Sequence, residues 1–117
     1  MTLITKDQAL AAIRNGEFDD DIIRSDERVA VILTQSWCPQ WHAMKQFVAN
    51  YSSAKIYYLE YDLTDYFDEF RQFKKRVLGN DLIPYVRYYS KGALVAGSNA
   101  VAEGIFQQNF VHKGQPT

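Results

Sequence analysis

The pentapeptide Trp37-Cys38-Pro39-Gln40-Trp41 joins two segments of different periodicity. Before it, residues 29–33 (VAVIL) form an apolar run whose length and β-branched content are typical of a buried strand. After it, residues 39–51 carry apolar side chains at helical spacing. Pro39 suits the first turn of a helix, because the N–H that proline lacks has no intrahelical acceptor there. Cys38 is therefore predicted to lie where a central strand passes into a helix.

Cys38 is the only cysteine among 117 residues. At a helix start, the free N–H groups and the helix dipole favour an anion, so a thiol there is expected to have a lowered pKa and raised reactivity. We therefore predict that Cys38 is accessible and nucleophilic. The alternative is that it is a small buried hydrophobic residue, as lone cysteines commonly are. A single cysteine forms no intramolecular disulfide, so any disulfide must involve a second molecule.

Further segments match one known pattern. Phe18, Asp19, Asp21, Ile22, Asp26, Val29 and Val31 precede Trp37-Cys38, and Ile83-Pro84 is followed by an apolar strand and Lys91-Gly92. Together these residues resemble the thioredoxin family from Phe18 to Phe110. The resemblance implies an α/β fold with three layers, α/β/α, and a central mixed sheet of four to five strands with helices on both faces. It also implies a cis peptide bond before Pro84.

The whole chain, residues 1–117, is predicted to form a single thioredoxin-like domain. Residues 1–16 add an N-terminal helix to the family pattern, and residues 112–117 are expected to be a frayed tail. The periodicity predicts helices over residues 5–14, 18–24, 39–51, 64–78 and 100–110. It predicts strands over residues 29–33, 54–62, 83–89 and 93–96, and Leu3-Ile4 could supply a first edge strand. Leu10, Ile13, Val77, Val101, Ile105 and Phe106 are expected to pack inward, and Thr64 is expected to cap the fourth helix.

The resemblance assigns Cys38 the role of the nucleophile that attacks a disulfide. The second cysteine of the family, which resolves the mixed disulfide, is replaced by Trp41. The family's buried acid and its neighbouring lysine, which relay protons, correspond to Ile32 and Tyr58. This chain alone therefore cannot complete a dithiol reduction, and a mixed disulfide at Cys38 would persist until an outside thiol such as glutathione released it.

The resemblance also implies a substrate-binding surface formed by Trp37, Pro39, Trp41, Ile83 and Pro84, where the backbone before the proline pairs with an extended peptide. Trp41 is either an aromatic lid over the thiol or a core side chain that fills the place of the missing cysteine. His42, one helical turn after Cys38, could stabilise a thiolate or simply be a solvated helix residue.

Composition excludes several classes of function. The net charge is −1, with 13 basic and 14 acidic residues, so no nucleic-acid surface is indicated. No apolar run approaches the ~20 residues of a membrane span, and the N-terminus lacks the features of a secretion signal, so a cytoplasmic location is expected. No nucleotide-binding motif is present, and Cys38 with His42 falls short of the four ligands of a structural zinc site, so we expect no metal.

Three functions remain open at this level. The first is a monothiol redox protein that forms mixed disulfides through Cys38 with protein or glutathione partners. The second is a redox-inactive binding or scaffold protein that uses the groove beside Pro84, so enzymatic activity is left undecided. The third is glutathione binding at Gly97-Ser98-Asn99, a turn mildly similar to that of glutaredoxins, whose N–H groups could hold a carboxylate.

Overall fold

A computed structural model describes residues 1–111; the predicted frayed tail, residues 112–117, lies outside the described residues. The helices are α1 (Lys6–Asn15), α2 (Asp20–Ile23), α3 (Pro39–Val48), α4 (Phe67–Arg76) and α5 (Glu103–Gln108). The strands are β1 (Thr2–Leu3), β2 (Arg28–Thr34), β3 (Lys55–Glu60), β4 (Tyr85–Ser90) and β5 (Ala93–Ser98). A short 3₁₀ helix, Tyr61–Leu63, follows β3. The first edge strand, which the sequence left undecided at Leu3-Ile4, is present one residue earlier, at Thr2–Leu3.

The five strands form one mixed sheet in the order β1-β3-β2-β4-β5. Strand β2 is central: it pairs in parallel with β3 and antiparallel with β4. Side chains alternate between the two faces of a strand, so Val29, Val31 and Leu33 pack on the side of α1, α2 and α4. Ala30 and Ile32 pack on the side of α3 and α5. This arrangement confirms the predicted three-layer α/β/α architecture.

Local sequence signals predicted the ends of some helices correctly and those of others incorrectly. The capping box of Thr5 and Gln8 begins α1, and Gly16 ends it with a φ of 81°, a conformation that glycine adopts without strain. Thr64 does not cap α4, so that prediction was wrong. Residues 61–63 form a 3₁₀ helix, and the Thr64 hydroxyl donates to the Tyr61 carbonyl at the end of that helix instead.

Several predicted core positions are exposed. Val77 is 57% exposed because α4 ends one residue earlier, and Ile105 is 47% exposed while Phe106 and Phe110 fill the core beneath α5. In α1, the smaller Ala9, Ala11 and Ala12 are buried, whereas Leu10 and Ile13 are half-buried at the margin of the core. Aromatic rings under a short helix leave little room for an additional inward side chain.

A buried polar cluster ties β4 to the segment after α1. The Arg87 guanidinium donates to the hydroxyl groups of Tyr85 and Tyr89 and pairs with Glu17 at 2.6 Å. Burial lowers the Arg87 pKa, but the charges and hydrogen bonds of Tyr89 and Glu17 outweigh burial and raise it overall. Burial also raises the pKa of Tyr89. Every polar group of this cluster therefore has a partner, as a buried charge requires.

We predict that Arg87→Met destabilises the protein by about 2–4 kcal/mol, because it removes the guanidinium that donates to Glu17 Oε2 and to two tyrosine hydroxyls. Glu17 is partly exposed and regains some hydration, which keeps the loss below that of a fully buried pair. Urea unfolding measures the change. Arg76→Met, at an exposed position of α4, is the control and should alter the free energy of unfolding by less than about 0.5 kcal/mol. Equal effects of both variants would contradict the assigned role of the cluster.

Candidate functional site

Cys38 lies at the start of α3, as predicted, and occupies the N-cap position. Its backbone is extended, with φ −71° and ψ 117°, and no side chain caps the first turn of the helix. The Cys38 sulfur lies 3.8 Å from the carbonyl oxygen of Ile83, and the peptide bond between Ile83 and Pro84 is cis. The fold therefore brings together the two segments that the sequence singled out, which are more than forty positions apart.

The Cys38 side chain is buried, and only 3% of its surface is exposed. The expectation of an accessible thiol was therefore wrong. The sulfur points toward the Ile83 carbonyl and belongs to the apolar cluster that also contains Ile32 and Trp41. Sequence reasoning missed this burial because it depends on packing against β4, which local spacing does not reveal.

Trp41 is a core side chain rather than a lid, and it offers no substrate surface. It is fully buried, and its indole N–H donates to Glu60 Oε2 at 2.9 Å. Its ring stacks on Tyr58, with 6.1 Å between ring centroids, and the Lys45 ammonium lies 5.2 Å from its centroid. Of the two alternatives, the structure therefore selects the aromatic that fills the place of the missing cysteine. The predicted substrate contact at Trp41 is corrected accordingly.

Trp37 lies on the opposite, solvent-facing side of the same turn and is 64% exposed. Its indole N–H donates to Gln35 Oε1 at 2.7 Å. The Asp62 carboxylate holds the turn in place, because it accepts hydrogen bonds from both the N–H and the hydroxyl of Ser36. His42 Nε2 lies 2.7 Å from the Ser36 carbonyl oxygen. The His42 ring is thus engaged with the turn, which favours a structural role over action as a base.

Ser36 and Asp62 hold the turn beside the candidate site, and sequence reasoning missed both. A signal existed: each follows one of two parallel neighbouring strands, β2 and β3, and the carboxyl ends of such strands meet at one edge of the sheet. Polar residues just after both strands could therefore have been expected to bind each other.

A groove of about 440 Å³ opens beside this turn. Its walls include Trp37 and Gln35 on one side and Leu82 and Ile83 on the other, and Phe67 lines it as well. Leu82 is 65% exposed, so the groove is flanked by two large apolar side chains that contact solvent. Apolar surface of this kind is typical of a binding site for another molecule.

The groove also contains one charged pair: Arg71 and Asp81 complete its lining and lie 3.6 Å apart, both partly exposed. Of the predicted substrate-binding residues, Trp37 and Ile83 line the groove. Pro39 is exposed at the start of α3, and Pro84 is buried behind the site.

Solved structures with the same architecture are numerous. A mutant thioredoxin of Halobacterium salinarum superposes with a TM-score of 0.61 over 84% of each chain at 14% identity. Thioredoxin O1 of Arabidopsis thaliana has a TM-score of 0.62 at 10% identity, covering 92% of this chain and 91% of that one. The chain has a thioredoxin-like fold. A buckwheat glutaredoxin in complex with glutathione is also similar, with a TM-score of 0.56, 18% identity, and 92% and 90% coverage.

No protein-family model matches the sequence, and neither does any curated protein. The sequence therefore shares the thioredoxin-like fold with these structures at only 10–18% identity.

The two positions to which the family resemblance assigns a proton-relay pair are adjacent in this structure. Ile32 on β2 is the direct register partner of Tyr58 on β3, as the resemblance implied for the acid and the lysine. Ile32 is fully buried, and Tyr58 stacks on Trp41. A hydrophobic and aromatic stack thus occupies the place where the relay pair would lie.

A metal site requires a cluster of ligating side chains, and a membrane span requires a long apolar helix. No group of three or more metal-ligating side chains comes together within residues 1–111. None of the helices in this part of the chain is both long enough and apolar enough to cross a bilayer.

We predict that the two tryptophans differ sharply in fluorescence quenching. Trp41→Phe leaves the exposed Trp37 as the only emitter, so iodide should quench its emission strongly. Trp37→Phe leaves the buried Trp41, whose emission should be blue-shifted and quenched several-fold less. Similar quenching constants for the two variants would contradict the assignment of one indole to the surface and the other to the core.

Proposed function

We propose that this protein is a monothiol exchange protein that binds an extended segment of a partner in the groove beside Trp37 and forms a mixed disulfide with it through Cys38. One observation carries the proposal: the Cys38 sulfur contacts the carbonyl of Ile83, a residue that lines the groove. A partner bound along Ile83 would therefore bring its own sulfur close to Cys38.

The exchange step balances within the two molecules. The Cys38 thiolate attacks one sulfur of a partner disulfide, a Cys38–S–S–partner bond forms, and the second sulfur leaves as a thiolate. The thiol proton passes to solvent. Cys38 occupies the N-cap position of α3, and no side chain caps the N–H groups of the first turn of that helix.

Trp41 determines how the mixed disulfide between Cys38 and a partner would be released. Because a tryptophan occupies the resolving position, the mixed disulfide cannot be released from within the chain. An outside thiol must attack it, and glutathione has the required chemistry. A buckwheat glutaredoxin of similar fold was solved in complex with glutathione, which supports glutathione as a candidate for this role.

A second candidate function is partner binding without exchange. The observation that favours it is the 3% exposure of Cys38, since a covered thiol is ordinarily inert. The hydrophobic replacement of the relay positions, Ile32 and Tyr58, points the same way. In this case the groove would bind the same extended segment, and Cys38 would serve only as a packing residue.

We predict that the protein reacts with a short peptide whose single cysteine is blocked as the mixed disulfide with thionitrobenzoate. One thionitrobenzoate anion should be released per protein molecule, and the mass of the product should correspond to a peptide adduct at Cys38. Absorbance and intact mass provide the two readouts. Cys38→Ser should abolish both signals while it leaves the fold and peptide binding intact.

The same assay tests the groove. Trp37→Ala should slow the peptide reaction by about tenfold, because an exposed tryptophan in a binding site commonly contributes about 1–2 kcal/mol or more. Leu63→Ala, similarly exposed but outside the groove lining, is the matched control. Peptide binding by fluorescence anisotropy without thionitrobenzoate release would establish the second candidate. Absence of both binding and release would overturn the proposed function.

A further inference from the structure

The loop that leads into Ile83 is anchored by a buried lysine. Lys74, on α4, is only 1% exposed, although it is the kind of residue that usually reaches solvent. Its ammonium donates hydrogen bonds to the backbone carbonyls of Asn80 and Leu82. The Tyr85 ring lies 5.7 Å from the ammonium nitrogen. Within residues 1–111, no carboxylate is within ion-pair distance of Lys74.

Burial of the Lys74 ammonium costs desolvation free energy, which its contacts in the folded protein must offset. Burial lowers the Lys74 pKa to about 8; the charge of Asp81 opposes this and the charge of Arg71 adds to it. An apolar side chain of similar length would fill the same position on the buried stripe of α4 without a desolvation penalty. What such a residue could not provide is hydrogen bonds to the two loop carbonyls.

These hydrogen bonds determine which way the Leu82–Ile83 peptide unit faces. The peptide bond is trans, because the one cis bond described is the next one along the chain. In a trans peptide the C=O and N–H groups point in opposite directions. The Leu82 carbonyl is turned inward to Lys74, so the Ile83 N–H is turned away from it. Among the residues described, that N–H has no hydrogen-bond acceptor.

Two asparagines hold the same segment from its other side. The Asn80 side-chain oxygen accepts a hydrogen bond from the Leu82 N–H at 2.9 Å. The Asn99 amide donates to the Asn80 side chain and to the Pro84 carbonyl, at 3.1 and 3.0 Å. With Lys74, these contacts fix the backbone on both sides of the Ile83 N–H, and Ile83 lines the groove.

We propose that Lys74 is a positioning residue that directs the Ile83 N–H into the groove, where it donates to a main-chain carbonyl of an extended peptide. The inference rests on the proposed function for its partner, and the family resemblance already implies that the backbone before Pro84 pairs with an extended peptide. The new element is the residue that orients the Ile83 N–H, Lys74. Lys74 acts through the loop and never contacts the partner.

One test needs no partner. In carbon-detected NMR, the carbonyl resonances of Asn80 and Leu82 should shift together as Lys74 loses its proton, with a midpoint near pH 8. The titrations of the neighbouring Asp81, Arg71 and Tyr85 must be followed in parallel. Lys74→Met should abolish the shared transition. Lys75→Met, the exposed neighbour on the same helix, should preserve it. Carbonyl resonances that do not respond to pH, or that respond equally in Lys74→Met, would overturn the inference.

A second test measures function with the thionitrobenzoate peptide. Lys74→Met should slow the peptide reaction about three- to tenfold, the value of one hydrogen bond, while the rate with iodoacetamide stays unchanged because that reagent needs no backbone donor. Lys74→Arg, which retains charged donors, should restore much of the rate, and Lys75→Met should have no effect. Equal slowing with both reagents, or none, would overturn the positioning role. A wild-type protein that neither binds nor reacts with the peptide, yet shows the carbonyl titration, would refute the proposed function while supporting the orientation assigned to Lys74.

Discussion

Strand β2 is the constraint on which the rest of the molecule depends. It is paired on both edges and covered on both faces, so neither its register nor its direction can change without exposing the core. Because β4 runs antiparallel to β2, Tyr85 at the start of β4 pairs with Leu33 near the end of β2. The residues just before Tyr85 and just after Leu33 must therefore be neighbours. This register places Ile83 next to Cys38.

Apolar and aromatic side chains pack beside Cys38. Trp41 and Ile32 are fully buried, and Trp41 stacks on the partly buried Tyr58. These are the positions to which the family resemblance assigns a second thiol, an acid and a lysine. The nearby Glu60 carboxylate accepts a hydrogen bond from the Trp41 indole and forms an ion pair with Lys45, 3.6 Å away. Chemistry at this site is therefore restricted to a single sulfur, and the surroundings contribute shape more than acid–base catalysis.

The sequence predicted the features that local pattern determines. The apolar run around β2, the proline at the start of α3 and the capping box of α1 gave these elements to within a few residues. The family resemblance located Cys38 and Ile83 as partners. The burial of Cys38 was missed because it depends on contact with Ile83, which is distant in the chain. The exposure of Val77 and the role of Thr64 were missed for a local reason, since they follow from where α4 ends and from the 3₁₀ helix at Tyr61–Leu63. The role of Lys74 was not predicted, because it depends on where the following loop turns its carbonyls.

The central claim is that a covered sulfur at the start of α3 contacts the backbone just before Pro84. Nuclear Overhauser effects between the Cys38 β-protons and the α-proton of Ile83 and ring protons of Pro84 test it most directly in solution. Strong effects to both residues, together with slow reaction of the thiol with bulky reagents, are the result predicted here. Absence of these effects, with Cys38 instead close to protons of solvent-exposed residues, would contradict the geometry on which the site and its function are built.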